Sequence, residues 1–171
     1  MQMALVRYYH KFSDTVCKFS EYIIMVMLAV MVVITGAQIV CRVFFTALVW
    51  SEEATRFLLC WSTFIGAACV YKHAGHIKVT VLQDHLPGKV RDYCRILVHL
   101  LCCILFVIMI FVGFKYCGKM KKQLSPAMRI PMGYVYLCIP IGGILMLIHA
   151  LDAILQELLG KKLKSAEEAE S

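Results

Sequence analysis

Acidic and basic residues are missing from four long stretches of this 171-residue chain: 22–41, 57–71, 96–114 and 132–151 hold no Asp, Glu, Lys or Arg. At about 1.5 Å of rise per helical residue, roughly 20 residues cross the ~30 Å hydrocarbon core of a bilayer, so three of the stretches suffice alone. The second reaches span length by taking in Ala54 to Arg56, or sits in thinned membrane. Charged residues make up 17% of the chain against 61% hydrophobic, which excludes an ordinary soluble domain. A carboxylate inside the bilayer is what a self-sufficient ion-coupled pump uses to bind and release its cation. None lies in these runs, so the chain is read as an accessory subunit. Proline is scarce, and of the four only Pro140 interrupts a run, where Gly142 and Gly143 follow it; a kink or loosened turn is expected there. The nine cysteines include no C-x-x-C pair, and Cys41, Cys60, Cys69, Cys102, Cys103 and Cys138 fall in or beside apolar runs, where packing thiols are expected rather than disulfides or zinc. No catalytic residue, metal ligand or resident cofactor is assigned.

What is present organises as an all-α integral membrane protein. An amphipathic interfacial helix is expected over 1–21, because Leu5, Tyr9, Phe12, Val16, Phe19 and Ile23 recur every three or four residues opposite Arg7, His10, Lys11, Asp14, Lys18 and Glu21. That stripe suits a membrane surface or a neighbouring protein helix equally. A transmembrane domain over 22–155 follows, with spans at 22–41, 54–71, 96–114 and 132–155. The first span begins at Tyr22 and no small-x-small cleavage site follows it, so it reads as a retained helix. Residues 43–50 are apolar and read as an interfacial segment anchored by Trp50. Between Lys72 and Arg95, Pro87-Gly88 separates two expected surface helices. The end, 156–171, is charged and rich in Ala and Ser, and is expected to lack order.

Net charge is +7, but the basic residues lie in the connections, so anionic lipid rather than nucleic acid is the expected partner. Four spans put both termini on one side. Cytoplasmic termini keep eleven of the 18 basic residues inside, which is the preferred topology. The outward residues then include Lys115, Lys119, Lys121, Lys122 and Arg129, a patch without an acid that could dock an acidic periplasmic protein or meet lipid or a partner subunit. Thr35, Gln38 and Arg42 form a polar face on span one that is costly in lipid and should look at protein. Glu52 and Glu53 stand four and three residues before Arg56, so a turn of helix can pair them where the chain meets lipid; they could equally meet polar groups of a partner. Ser62 and Gly66 are spaced for close helix approach. Glu52, Glu53 and Asp152 are all expected within reach of head groups and water. His99 and His149, near the same end of spans three and four, offer an alternative: axial ligation of haem in a membrane anchor of an electron-transfer complex.

Taken in order, Trp50-Ser51-Glu52-Glu53-x-x-Arg56, Trp61, Gly66-Ala67-Ala68, Lys72, His76-Ile77-x-Val79 and Leu86-Pro87 resemble the small membrane (Q-type) subunit of tripartite ATP-independent periplasmic (TRAP) transporters. Ser125-Pro126-Ala127 to Ile130-Pro131, then Ile139-Pro140-Ile141-Gly142, extend the resemblance, which covers 23–155. Two positions depart from the pattern: Lys72 stands where relatives often carry Arg, and Thr80 where they often carry an acid. The resemblance implies a non-enzymatic bacterial inner-membrane protein. Its partners would be a large multi-span subunit that holds substrate and sodium, and a periplasmic solute-binding protein. Organic acids such as dicarboxylates or sialic acid would be the substrates. Gln38, Arg42, Trp50, Glu52, Glu53, Arg56, Trp61 and Gly66 are the residues expected to touch the large subunit.

Overall fold

The computed structural model describes residues 2–46, 48–76 and 88–170, with side chains over 7–46, 48–73 and 97–156. Its elements are α1 (Gln2–Phe44), α2 (Val49–His76), α3 (Gly88–Met120), the single turn-and-a-half α4 (Met132–Tyr136) and α5 (Cys138–Glu170). Within them, 7–44, 49–73, 97–120 and 132–156 are long and apolar enough to cross a membrane, which matches the four expected spans. No strand occurs among the described residues; the one extended contact is an isolated bridge between Leu124 and Pro131. In lipid that is the required solution, since a helix satisfies its own backbone.

Helix α5 lies against both α2 and α3, and α1 rests chiefly on α2. The packed core is small: Ala68, Phe106, Met146 and Ala150, flanked by Tyr71, Cys102, Cys103 and Met109. Most other large apolar side chains point outward, Val32, Val33, Phe111 and Val112 among them. On a soluble protein such faces would mark aggregation, whereas here they are the surface offered to lipid or to another membrane helix.

Glycine sets how closely the helices approach. A Cβ on Gly142 would stand 2.8 Å from the Phe64 Cβ, and one on Gly113 would stand 2.9 Å from the Pro140 Cδ. Gly66 is different: a Cβ there meets only the Ile24 Cδ1, at 3.9 Å, an ordinary contact with α1. The close approaches thus lie at Gly142 and Gly113 rather than at the Ser62/Gly66 spacing. Pro140 acts where a proline should. It has no N–H to give Tyr136, and its ring crowds that carbonyl, so the fourth span breaks into α4 and α5 at Leu137, with Ile141 N–H closing back on Leu137 O at 3.1 Å.

Three local expectations change. Helix α1 is continuous from Gln2 to Phe44, so 1–21 is not a separate surface helix. Its apolar stripe is divided: Phe12 and Phe19 are 50% and 66% exposed, Val16 and Ile23 line a groove against α2 and α5, and Ser13, Cys17 and Ser20 are buried. Lys72 of α2 and His149 of α5 both bond to Ser13 and draw this small polar face inward. The expected interfacial segment shrinks to the short link after Phe44, because Val43 and Phe44 continue α1 and Trp50 already sits in the first turn of α2. Backbone helix also runs to Glu170, where a tail without order was expected; Ala, Leu, Lys and Glu are strong helix formers even with nothing to bury. The expected pair of helices meeting at Pro87, and the Ile77, Val79 and Thr80 positions, lie outside the described residues.

Gly142→Val should overpack the α2–α5 contact and lower stability by about 1–3 kcal/mol. Gly66→Ala should leave it unchanged. Unfolding midpoints of the purified variants in detergent decide the comparison, and equal losses at both sites would contradict this packing.

Candidate partner interface

The end of the bundle away from the termini is organised by one carboxylate. Residues 123–131 fold back on themselves: Met132 N–H donates to Gln123 O (2.8 Å), Ser125 N–H to Ile130 O (2.9 Å) and Arg129 N–H to Ser125 O (3.2 Å). Ser125 is buried and its hydroxyl accepts Ile130 N–H at 3.3 Å. Arg129 sits in the left-handed region, φ 53°, to complete the reversal. Past Pro126, which has no N–H to offer, the N–H groups of Ala127 and Met128 stand as an adjacent pair toward α2. Glu53 takes both, Oε1 from Ala127 and Oε2 from Met128, each at 2.9 Å. These charge-assisted bonds staple the start of α2 to the loop that leads into α4.

Glu53 is therefore turned toward this loop rather than committed to Arg56, whose side chain is exposed. Glu52 is exposed as well and accepts a hydrogen bond from Gln38 Nε2 at 3.5 Å, joining α1 to α2. Arg42 is exposed and Trp50 is 45% exposed, so Arg42, Trp50, Glu52 and Arg56 form an accessible polar and aromatic rim at this end. Lys115, Lys119, Lys121, Lys122 and Arg129 are exposed on the end of α3 and on the 123–131 loop, at the same end. Two expected contact residues fall elsewhere. Trp61 lines an apolar groove of about 490 Å³ between α1, α2 and α5, with Phe19, Ile23, Ile65, Ile141 and Leu145. Gly66 packs toward Ile24.

The termini end holds a second polar cluster that sequence spacing did not disclose. Lys72 is buried, pairs with Asp14 and donates to Ser13 Oγ at 3.1 Å. Ser13 Oγ in turn lies 2.9 Å from His149 Nδ1. An ammonium can only donate, so Ser13 accepts from Lys72 and gives its own proton to Nδ1, which puts the proton of a neutral His149 on Nε2. Asp152 is 3% exposed, not at the water surface as expected, and its Oδ2 lies 3.0 Å from His10 Nδ1. The N-terminal turns of α1 fold over this end of α5 and shield Asp152. Tyr9 OH adds a bond to Ile148 O at 3.1 Å. Lys72 thus joins α1 to α2.

His99 Nδ1 lies 2.9 Å from Tyr71 OH, whereas His149 is taken by Ser13, so the two rings proposed for haem have separate partners. Polar residues in this fold join helices at both ends of the bundle, which defines a multi-pass helical membrane protein with an exposed polar rim. The chain belongs to the DctQ component family of the tripartite ATP-independent periplasmic transporters, whose model matches residues 31–160. It is thus a multi-pass inner-membrane component of a transporter, not an enzyme. A Haemophilus influenzae protein assigned to the TRAP small permeases is 26% identical over 149 residues, 85% of this chain and 86% of that one. The sialic acid TRAP transporter small permease protein of Vibrio cholerae is 24% identical over 105 residues, 61% of each chain. The isethionate TRAP transporter permease protein of Oleidesulfovibrio alaskensis is 29% identical over 120 residues, 67% of this chain but 18% of that longer one.

Glu53→Gln should free the 123–131 loop, because a neutral amide oxygen cannot hold both N–H groups as strongly. Amide exchange at Ala127 and Met128 is expected to quicken by about tenfold or more. Arg56→Ala should leave both amides unchanged; equal acceleration by the two variants would return Glu53 to the local pair with Arg56.

Proposed function

We propose that this chain is the small scaffold subunit of a sodium-coupled TRAP-type secondary transporter for organic acids. In this reading it braces a larger membrane subunit that carries substrate and sodium. The family match over 31–160 carries the reading, together with the absence of any carboxylate from the four apolar runs. The Oleidesulfovibrio relative supports the pairing, since the region like this chain is a small share of a much longer permease. Names specifying sialic acid and isethionate support an organic-acid substrate. Gln38, Arg42, Trp50, Glu52 and Arg56 are the proposed contacts with the large subunit, with Glu53 holding the loop beside them in shape. Trp61, in the groove, and Gly66, beside α1, stay in the proposed set as its members away from the rim.

The termini are proposed to be cytoplasmic, which places the rim and the lysine patch in the periplasm. There Lys115, Lys119, Lys121, Lys122 and Arg129 would meet an acidic face of the solute-binding protein, with charge steering that salt screens over ~8 Å at physiological strength.

Two measurements test this reading. The purified chain alone in proteoliposomes should move no solute, and adding the large subunit with its binding protein should restore uptake; uptake by the chain alone would overturn the scaffold role. Changing Lys119, Lys121 and Lys122 together to Gln should raise the binding-protein concentration needed for half-maximal uptake by roughly tenfold and flatten its salt dependence, with complex assembly intact. Unchanged kinetics, or labelling that places a cysteine at position 121 in the cytoplasm, would rule out docking through this patch.

A further inference from the structure

Near the termini end, α1 and α2 bring together side chains that neither the polar clusters nor the proposed interface uses. Cys17 and Glu21 are four apart on α1, and Cys69 and His73 four apart on α2, so each pair shares a helix face. Antiparallel packing turns the two faces toward each other, and Cys69 Sγ donates to Cys17 O at 3.7 Å. Cys17 Sγ then lies 3.7 Å from Glu21 Oε1, and His73 Nε2 lies 3.6 Å from the same oxygen. All three donor atoms fall within 4.8 Å of one another.

We infer that Cys17, Glu21 and His73 form a binding site for a thiophilic divalent cation, Zn²⁺ by its chemistry, bridging α1 and α2. Tetrahedral zinc with thiolate, carboxylate and imidazole ligands has ligand-to-ligand edges of about 3.4–3.6 Å, so the Cys17–Glu21 and His73–Glu21 edges already stand near that length, and the Cys17–His73 edge, within 4.8 Å, is the one left to close. The imidazole is already oriented. His73 Nδ1 lies 3.0 Å from Cys69 O and donates to it, which leaves the Nε2 lone pair facing Glu21 and Cys17, the arrangement that fixes metal-ligating histidines. A sulfur ligand excludes Mg²⁺ and Ca²⁺, which take oxygen, and selects zinc over them.

Access and charge also fit. Cys17 is 3% exposed and forms the back of the site, while Glu21 and His73 are exposed and open it to solvent. On binding, the Cys17 thiol releases its proton to water as the sulfur–metal bond forms. Thiolate and carboxylate then balance the two charges of the ion. Lys72, the nearest cation along α2, is already turned to Asp14 and Ser13. Water takes the fourth position. The bound ion would fasten α1 to α2 beside the Lys72–Asp14 pair, one to two turns beyond Asp14 on α1 and one residue beyond Lys72 on α2, and hold the N-terminal turns of α1 on the bundle.

The test is titration of the purified full chain, chelator-free in detergent, with Co²⁺ as the spectroscopic probe. One equivalent should produce a thiolate-to-cobalt charge-transfer band and tetrahedral d–d absorption, both removed by Zn²⁺. Cys17→Ser should abolish the charge-transfer band. Glu21→Gln and His73→Asn, changes at exposed side chains, should keep the band and weaken affinity by about tenfold or more. Cys41→Ser, a thiol elsewhere on α1, should change nothing. At one fixed concentration, Zn²⁺ should raise the unfolding midpoint of the unaltered protein by more than that of Glu21→Gln. Failure of the unaltered chain to bind, survival of the band in Cys17→Ser, or its loss in Cys41→Ser would each overturn the site, whatever the outcome of transport assays.

Discussion

Inside hydrocarbon an apolar side chain gains nothing by exchanging lipid for a neighbouring helix, so apolar burial cannot hold this bundle together as it would in water. Two other sources of cohesion follow from that constraint, and both are visible. Backbones close to van der Waals contact through Gly113 and Gly142, where no Cβ keeps them apart. Polar groups that lipid would leave unsatisfied bond across helices instead. The small core at Ala68, Phe106, Met146 and Ala150 is what remains when most apolar residues face outward.

The polar joints gather at the two ends, where the helices leave the apolar layer. At one end Glu53 gathers Ala127 and Met128, and Gln38 reaches Glu52. At the other, Lys72, Ser13 and His149 form a hydrogen-bonded relay beside Asp14, and His10 reaches Asp152. Apart from Gln38–Glu52, these joints tie residues far apart in sequence, 74 for Glu53 and Ala127 and 136 for Ser13 and His149. Their cost would be high in mid-membrane, where an unmet partner has no water to replace it, and it falls where water can reach. Placement at the ends therefore follows from the same physics that keeps charge out of the spans.

What could be read from sequence divides along this line. The four spans were legible because a charge-free apolar run of roughly 20 residues suits a membrane helix and little else. The break in the last span was legible in Pro140, although its position was not: the ring acts on the carbonyl four residues earlier, and the helix opens at Leu137. Long-range pairings were not legible. Glu53 stands three residues from Arg56, and local spacing offered that partner, whereas two N–H groups beyond Pro126 satisfy both oxygens at once. Gly66 carried the right spacing, but spacing does not say which helix a small residue meets. The stripe of Tyr9, Phe12, Val16, Phe19 and Ile23 suited lipid and a neighbouring helix equally, and spacing could not say how the two divide it. Phe12 and Phe19 are largely exposed, as a lipid-facing stripe would be, while Ser13 turns in to Lys72 and His149, and Cys17 and Ser20 are buried.

A subunit that braces a moving partner, the role proposed for this chain, must resist shear between its own helices. A bundle joined only by smooth apolar faces could slide, since dispersion contacts in lipid vary little with register. Hydrogen bonds and close glycine contacts are register-specific: shifting α1 along α2 by one turn, about 5.4 Å, would break the Lys72–Asp14 and Gln38–Glu52 contacts together. Shifting α5 against α2 would drive Phe64 off Gly142 and into residues with a Cβ. With joints at both ends and close contacts between, each helix is fixed in translation and in tilt. The outward apolar faces stay unspecialised, so that lipid or a partner can lie against them without disturbing the frame.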